Sequence, residues 1–302
     1  MADSQPEHQA GEIQARGGRW ALDPSALREG SWLTIVAVVV AGAAAATVVN
    51  MNRTAIVDSF QPLYDATGGL VQPTLIVNLV LIGVVVVGLI LWFGRLQPRD
   101  VGLDPRDLWV GIVITAGTWL LMQVTGVIAV LVQGNPIGLN ESWRTIGTLS
   151  IIGGFLAQLF GNALYEEIVY RAFLLPQFAK KFSQQLTPSA PRTVFVLALL
   201  VSQSIFGLIH TPSRLAQGVA IEALPVTILV PFLIGIVFAL VYYRTGNLFV
   251  TVGLHALVND SVLLVNAGTI AALPILLVLL AVLLTWPSLV ARFGGNERTI
   301  SR

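Results

Sequence analysis

The sequence predicts an all-α, polytopic membrane protein of about eight transmembrane helices. Three observations carry that prediction. Of 302 residues, 55% are hydrophobic and only 11% charged. The mean hydropathy is +0.79. The apolar residues also fall into uncharged runs that reach the roughly 20 residues a helix needs to cross a bilayer. Charge this sparse cannot clothe a water-exposed surface, which excludes a soluble globular enzyme. Seventeen Lys and Arg against 16 Asp and Glu leave a net charge of +1, so nothing in the balance points to a nucleic-acid partner. The chain has no cysteine, which excludes disulfides, thiol catalysis and cysteinyl metal sites. Any chemistry rests on oxygen and imidazole groups.

Residues 1–30 are polar, rich in Gly, Gln and mixed charge, and are expected to form a disordered cytoplasmic tail. Residues 31–140 hold three spans. The first runs from Ser31 to Asn52 and is read as retained, because the polar stretch ahead of it is too long for a signal peptide. The second lies between Asp65 and Arg95. The third lies between Asp107 and Glu141 and is closed by the turn-forming run from Gly134 to Gly138. A fourth span begins near Ile146 and runs to Tyr165, where Glu166 and Glu167 interrupt it and a polar segment continues to Pro191. The fifth occupies Thr193 to His210, before Pro212; the sixth lies between Glu222 and Arg244; the seventh starts near Asn247. No charge occurs from Ser261 to Ala291, more than one crossing requires, so a turn near Asn266 to Thr269 divides the seventh span from an eighth over 269–292. Residues 293–302 form a second cytoplasmic tail.

Cytoplasmic ends of spans retain Lys and Arg. With the N-terminus inside, the inner segments hold most of the basic residues and the outer loops only Arg53, Arg144 and Arg214. An integral protein of a bacterial cell membrane with both termini cytoplasmic is expected. Trp32, Trp92, Trp109 and Trp286 fall near the inner boundary as headgroup anchors.

Ionisable groups at membrane depth cost about 2.5 to 3.5 kcal/mol each on insertion scales. Glu166, Glu167, Arg171, His210 and His255 together therefore carry a burden on the order of 10 kcal/mol. Such a set persists when it is mutually paired or hydrated in a cavity. On the fourth span Gln158, Asn162 and Glu166 recur every four residues as a polar stripe, and Glu167 lies four residues from Arg171, the spacing of a helical ion pair. Two further spans pair Phe206 with His210 and His255 with Asn259 at the same spacing. If the three faces converge, they offer a carboxylate to take a proton, two imidazoles, and an amide to donate to an oxyanion. That inventory suits hydrolysis by activated water. Ser202 and Ser204 lack a Gly-x-Ser-x-Gly turn, so no serine mechanism is indicated.

The segment from Tyr165 to Arg171 carries Glu-Glu-x-x-x-Arg, Phe206 to His210 carries Phe-x-x-x-His, and His255 to Asn259 carries His-x-x-x-Asn. In this order, on successive hydrophobic segments, the three motifs resemble those of the CAAX protease and bacteriocin-processing (CPBP, or Abi) family of intramembrane endopeptidases. The resemblance covers about Ile146 to Asn266, and the catalytic core is expected over 146–266. One position departs: Ala172 stands where a Gly often follows the Arg. The resemblance implies that Glu166 and His210 activate water and that His255 and Asn259 hold the scissile carbonyl oxygen. Glu167, Arg171 and Phe206 then support the site. It also implies a peptide substrate at the membrane, of prenylated CAAX type or bacteriocin-like.

Two routes stay open at this stage: a metal-free glutamate mechanism, and a zinc site in which Glu166, His210 and His255 form a two-His, one-carboxylate set. Two other functional classes also stay open, a proton-coupled transporter and a catalytically silent scaffold of the same fold. One tension concerns depth. At 1.5 Å per residue His210 lies about 25 Å from Thr193, but His255 only about 12 Å from Asn247. The two meet only if the fifth span begins below the bilayer or tilts strongly.

Overall fold

The computed structural model describes residues 28–186, 191–266, 270 and 273–293, with side chains to 286 in the last stretch. The expected tails over 1–27 and 294–302, and most of the expected turn near Asn266 to Thr269, lie outside the described residues. Every described regular element is a helix. Each of the eight expected spans has one: α1 Trp32–Met51, then, after α2 Arg53–Ala66, α3 Pro73–Phe93, α4 Pro105–Val132, α5 Thr148–Gln185 and α6 Pro191–Leu208. Past the six-residue α7 Thr211–Ala216 come α8 Leu224–Thr245, α9 Leu248–Asn259 and α10 Leu273–Phe293. Six helical runs among the described residues are long and apolar enough to cross a membrane, and the chain is a polytopic, all-α integral membrane protein. Large apolar side chains face outward along these runs, Val132 at 82% exposure and Trp92 at 80%, the arrangement that lipid stabilises and water does not.

The structure departs from the expected elements in four places. The region after the first span, read as a loop, is the helix α2, started at Arg53 and carrying Pro62 in its interior. Glu166 and Glu167 do not end the fourth span: α5, 38 residues in all, continues through them to Gln185, with Glu167 paired to Arg171 inside the bundle. Pro212 does not merely break the fifth span but sits in the first turn of α7, where its missing N–H costs nothing. Residues 28–30 do not belong to the free tail. Gly30 N donates to Gln177 Oε1 at 2.7 Å while Gln177 Nε2 donates to Arg28 O at 2.9 Å, and Lys181 pairs with Glu29. Hydrogen bonds from Lys181 and Gln184 hold the Glu29 carboxyl below its usual range.

The most consequential element is α9. At 12 residues it rises only about 18 Å, little more than half of a hydrocarbon core about 30 Å thick. Its start is fixed by Asn247, which caps Phe249 N and Val250 N at 2.9 and 3.1 Å and donates from Nδ2 to Asp107 O at 2.9 Å. Gly246, at φ +64°, supplies the left-handed turn that lets α8 end and α9 begin within two residues. From there α9 runs parallel to α4 at a separation only small residues permit. A methyl at Gly111 would lie 2.4 Å from Phe249 Cβ, and one at Gly253 would lie 1.6 Å from Thr115 Oγ1.

Beyond Asn259 the backbone is non-helical, and irregular backbone at membrane depth must be satisfied by protein. Trp119 Nε1 and Gln123 Nε2 donate to Val262 O at 3.2 and 3.4 Å. Gln123 Oε1 accepts from Leu264 N at 2.9 Å, and Trp143 Nε1 donates to Leu263 O at 2.8 Å. Val262, at φ +45°, is a strained position for a β-branched residue, held by these bonds.

Candidate active site

The first half of the site is written into α5. Its backbone alternates between α and π turns: α over Thr148–Ala157, π over Gln158–Asn162, α over Ala163–Glu166, π over Glu167–Leu174. An α-helix drifts about 40° over each four-residue step, and the wider π turn drifts the other way. The alternation therefore keeps Gln158, Asn162 and Glu166 in line. π turns are disproportionately found at functional sites.

Glu167 and Arg171 are both completely buried, with Nη1 3.1 Å from Glu167 Oε1. The angles at that approach are not those of a hydrogen bond, and the guanidinium nitrogens have no hydrogen-bond partner among the described residues. Arg171 is stabilised instead by charge and by aromatic faces, its Cζ lying 4.0 Å from the Phe206 ring centroid and 5.8 Å from that of Phe238. Gly235 makes room for this arrangement, since a methyl there would lie 2.7 Å from Phe206 Cδ1 and 3.3 Å from Arg171 Nη2.

Helix α9 delivers the second half. His255 stacks on Phe238 at 4.6 Å and 22°. Its Nδ1 lies 2.6 Å from Glu167 Oε1, and its Nε2 lies 3.6 Å from Glu166 Oε2. An ionised carboxylate only accepts, so Nδ1 carries the proton and Nε2 is turned toward Glu166. Glu167 thus has two partners on one oxygen. The sequence spacing exposes only the Arg171 partner, because the His255 bond spans 88 positions. Glu166 keeps a route to the outside, with 15% of its side chain exposed against none for Glu167.

His210 lies just past the end of α6. Its Nδ1 bonds to Phe206 O at 2.7 Å; a carbonyl can only accept, which leaves Nε2 with the lone pair of the neutral ring. The ring meets Phe206 edge-on at 4.9 Å, and Phe206 in turn packs on Tyr170 at 5.0 Å. No direct hydrogen bond or ion pair joins His210 to Glu166 or His255 among the described residues.

Depth is settled by counting. The short link between α5 and α6 makes them antiparallel, with Phe206 at the level of Arg171. Four residues back along α5 to Glu167, and four forward along α6 to His210, are both about 6 Å in the same direction. His210, the acid pair and His255 therefore share one level. The α5–α6 hairpin reaches this level from roughly 27 Å away and α9 from about 12 Å, so the hairpin extends well beyond the start of α9, as the sequence arithmetic required.

Asn259, exposed at the end of α9, donates from Nδ2 to Gln158 Oε1 at 3.1 Å. The zinc arrangement does not fit: among the described residues no group of three or more His, Asp or Glu side chains is placed to hold a metal ion. His210 makes no direct hydrogen bond or ion pair to the Glu166–His255 pair among the described residues. Sequence reasoning assigned no role to Trp119, Gln123 and Trp143, which fasten the chain after Asn259. Polar or indole donors inside uncharged runs were the available signal, and they look alike whether they face lipid or protein.

The structure thus brings together a carboxylate pair, an imidazole between them and a terminal amide inside an apolar helical bundle. Residues 147–260, the segment that contains all of these groups, match the family model described as type II CAAX prenyl endopeptidase Rce1-like. Over this region, somewhat more than a third of the chain, the protein is similar to CAAX-type intramembrane proteases. No curated protein and no solved structure matches the chain.

Proposed function

We propose that the protein is a glutamate-dependent, metal-free endopeptidase that cuts membrane-associated peptides of prenylated CAAX or bacteriocin-like type. In this reading Glu166 is the general base. The observation that carries it is the Glu167–His255–Glu166 series, 2.6 Å on one side and 3.6 Å on the other. The longer gap exceeds a direct hydrogen bond and suits an oxygen bridging both groups, a water or a substrate carbonyl.

Glu166 takes a proton from water as the water oxygen attacks the scissile carbonyl, and His210 Nε2, a lone-pair acceptor at the same level, assists that removal. The carbonyl oxygen gains the negative charge. His255 donates to it from a protonated Nε2, the imidazolium charge being offset by the Glu167 carboxylate on Nδ1. Asn259 contributes the amide hydrogen not used on Gln158. Collapse of the tetrahedral intermediate breaks the C–N bond, and Glu166 returns its proton to the departing amine. Orientation follows from the basic residues: the hairpin end of the bundle, with Lys180, Lys181 and Arg192, faces the cytoplasm.

The test uses the full chain in lipid nanodiscs with a fluorogenic peptide carrying a lipidated C-terminal segment. Glu166→Gln should lower cleavage by roughly 10²–10⁴-fold, the usual contribution of a positioned general base, with thermal stability retained. Cleavage at the unaltered rate overturns the assignment and leaves a silent scaffold as the better description.

A further inference from the structure

We infer that Gln158 is a positioning residue for the oxyanion-binding amide. Its Oε1 accepts from Asn259 Nδ2 and thereby fixes which way that amide points. The inference rests on the role proposed for Asn259.

Asn259 is the last residue of α9. At that place a helix end frays, and an exposed Asn side chain samples several rotamers with its two polar ends interchangeable. An oxyanion donor, by contrast, must be aimed before the charge develops. Among the described residues the 3.1 Å bond to Gln158 is the contact that distinguishes the two ends of this amide. With one Nδ2 hydrogen engaged, the other is directed along a fixed line. An amide that instead turned its oxygen toward the developing charge would repel it.

Two features tie Gln158 to this task. It stands on the same in-line face of α5 as Glu166, at the entry to the π turn Gln158–Asn162, so the base and the amide support are parts of one rigid helix. One turn earlier, bare Gly154 faces the residue after Asn259, a methyl there lying 3.0 Å from Asp260 Oδ2. The end of α9 thus meets α5 through two successive positions, Gly154 against Asp260 and Gln158 against Asn259. The fastening of Val262 and Leu264 by Gln123 prevents the segment from drifting away.

The experiment measures kcat and KM for Gln158→Leu, Gln158→Glu, Asn259→Ala and the double variant Gln158→Leu/Asn259→Ala, in nanodiscs with the same lipidated peptide. Gln158→Leu should lower kcat on the order of tenfold, less than the 10²–10³-fold expected for loss of the donor itself, with KM unchanged. Gln158→Glu, which keeps an acceptor at the same reach, should restore most of the rate. In the Asn259→Ala background Gln158→Leu should have no further effect. A multiplicative double variant, a loss confined to KM, or failure of Gln158→Glu to rescue overturns the positioning role. Full activity of Gln158→Leu beside an impaired Asn259→Ala overturns it alone, leaving the oxyanion assignment standing. Full activity of Asn259→Ala removes both.

Discussion

His255 enters the site on a short helix gripped along its length, whereas His210 sits in the turn between the long α6 and the six-residue α7. The first is 4% exposed, stacked on Phe238, bonded to Glu167 and pressed from behind by α4 at Gly253. The second is half-buried, and its ring is joined to Phe206, edge-on to the aromatic ring and through Nδ1 to the backbone carbonyl. Two imidazoles at one depth are therefore held with different stiffness. A group that must meet a developing charge gains from being fixed in advance; a group that exchanges protons with water gains from access and some freedom. The supports of the two rings match the two roles proposed for them.

The contrast is sharpest where the grip can be removed. Glu167→Gln takes the anion from between Arg171 and His255 and leaves a buried guanidinium without its counter-charge. A loss of about 3 to 5 kcal/mol is expected for breaking such a pair, read as lowered thermal stability in nanodiscs together with near-complete loss of cleavage. Retained stability would mean that the aromatic faces of Phe206 and Phe238 alone support Arg171. Gly253→Ala should cost less, about 1 to 3 kcal/mol as an overpacked contact, because its methyl is driven into Thr115. Thr115→Gly in the same chain should recover stability and cleavage together, and absence of recovery would show that α4 does not set the position of His255. Phe206→Leu, on the looser side, should be mildest for cleavage. It removes the edge contact to His210, worth about 0.5 to 1.5 kcal/mol, and the ring face under Arg171, worth about 1 to 2 kcal/mol and read as lowered thermal stability, but it preserves the backbone carbonyl that holds His210 Nδ1, so kcat should fall several-fold rather than vanish.

The two halves of the molecule were not equally legible from sequence. Uncharged runs revealed the eight apolar helices because crossing a bilayer imposes length and composition on each segment independently. α2 escaped notice because its polar surface carries no such imprint, and the uninterrupted course of α5 through Glu166 was hidden because it depends on partners elsewhere in the chain. In the site, i to i+4 spacing exposed the Glu167–Arg171 pair and the Gln158–Asn162–Glu166 stripe. The bonds from Glu167 to His255 and from Gln158 to Asn259 join residues 88 and 101 positions apart, and no local pattern encodes them. The π turns that align the stripe were equally invisible, since they are packed into existence rather than favoured by the residues they contain.

Those turns also make the alignment of α5 depend on its winding. Each houses a surplus position that an ordinary helix would not. Were 158–162 to rewind as plain α with every residue kept, the drift of about 40° per four-residue step would return and accumulate along the stripe. Glu166 would still face His255, but Gln158 would turn away from Asn259. Loss of one residue within the turn is the gentler change, because three α steps rotate the helix nearly as far as four wider ones. A change of winding thus separates the acid from the amide without altering any of the motif letters.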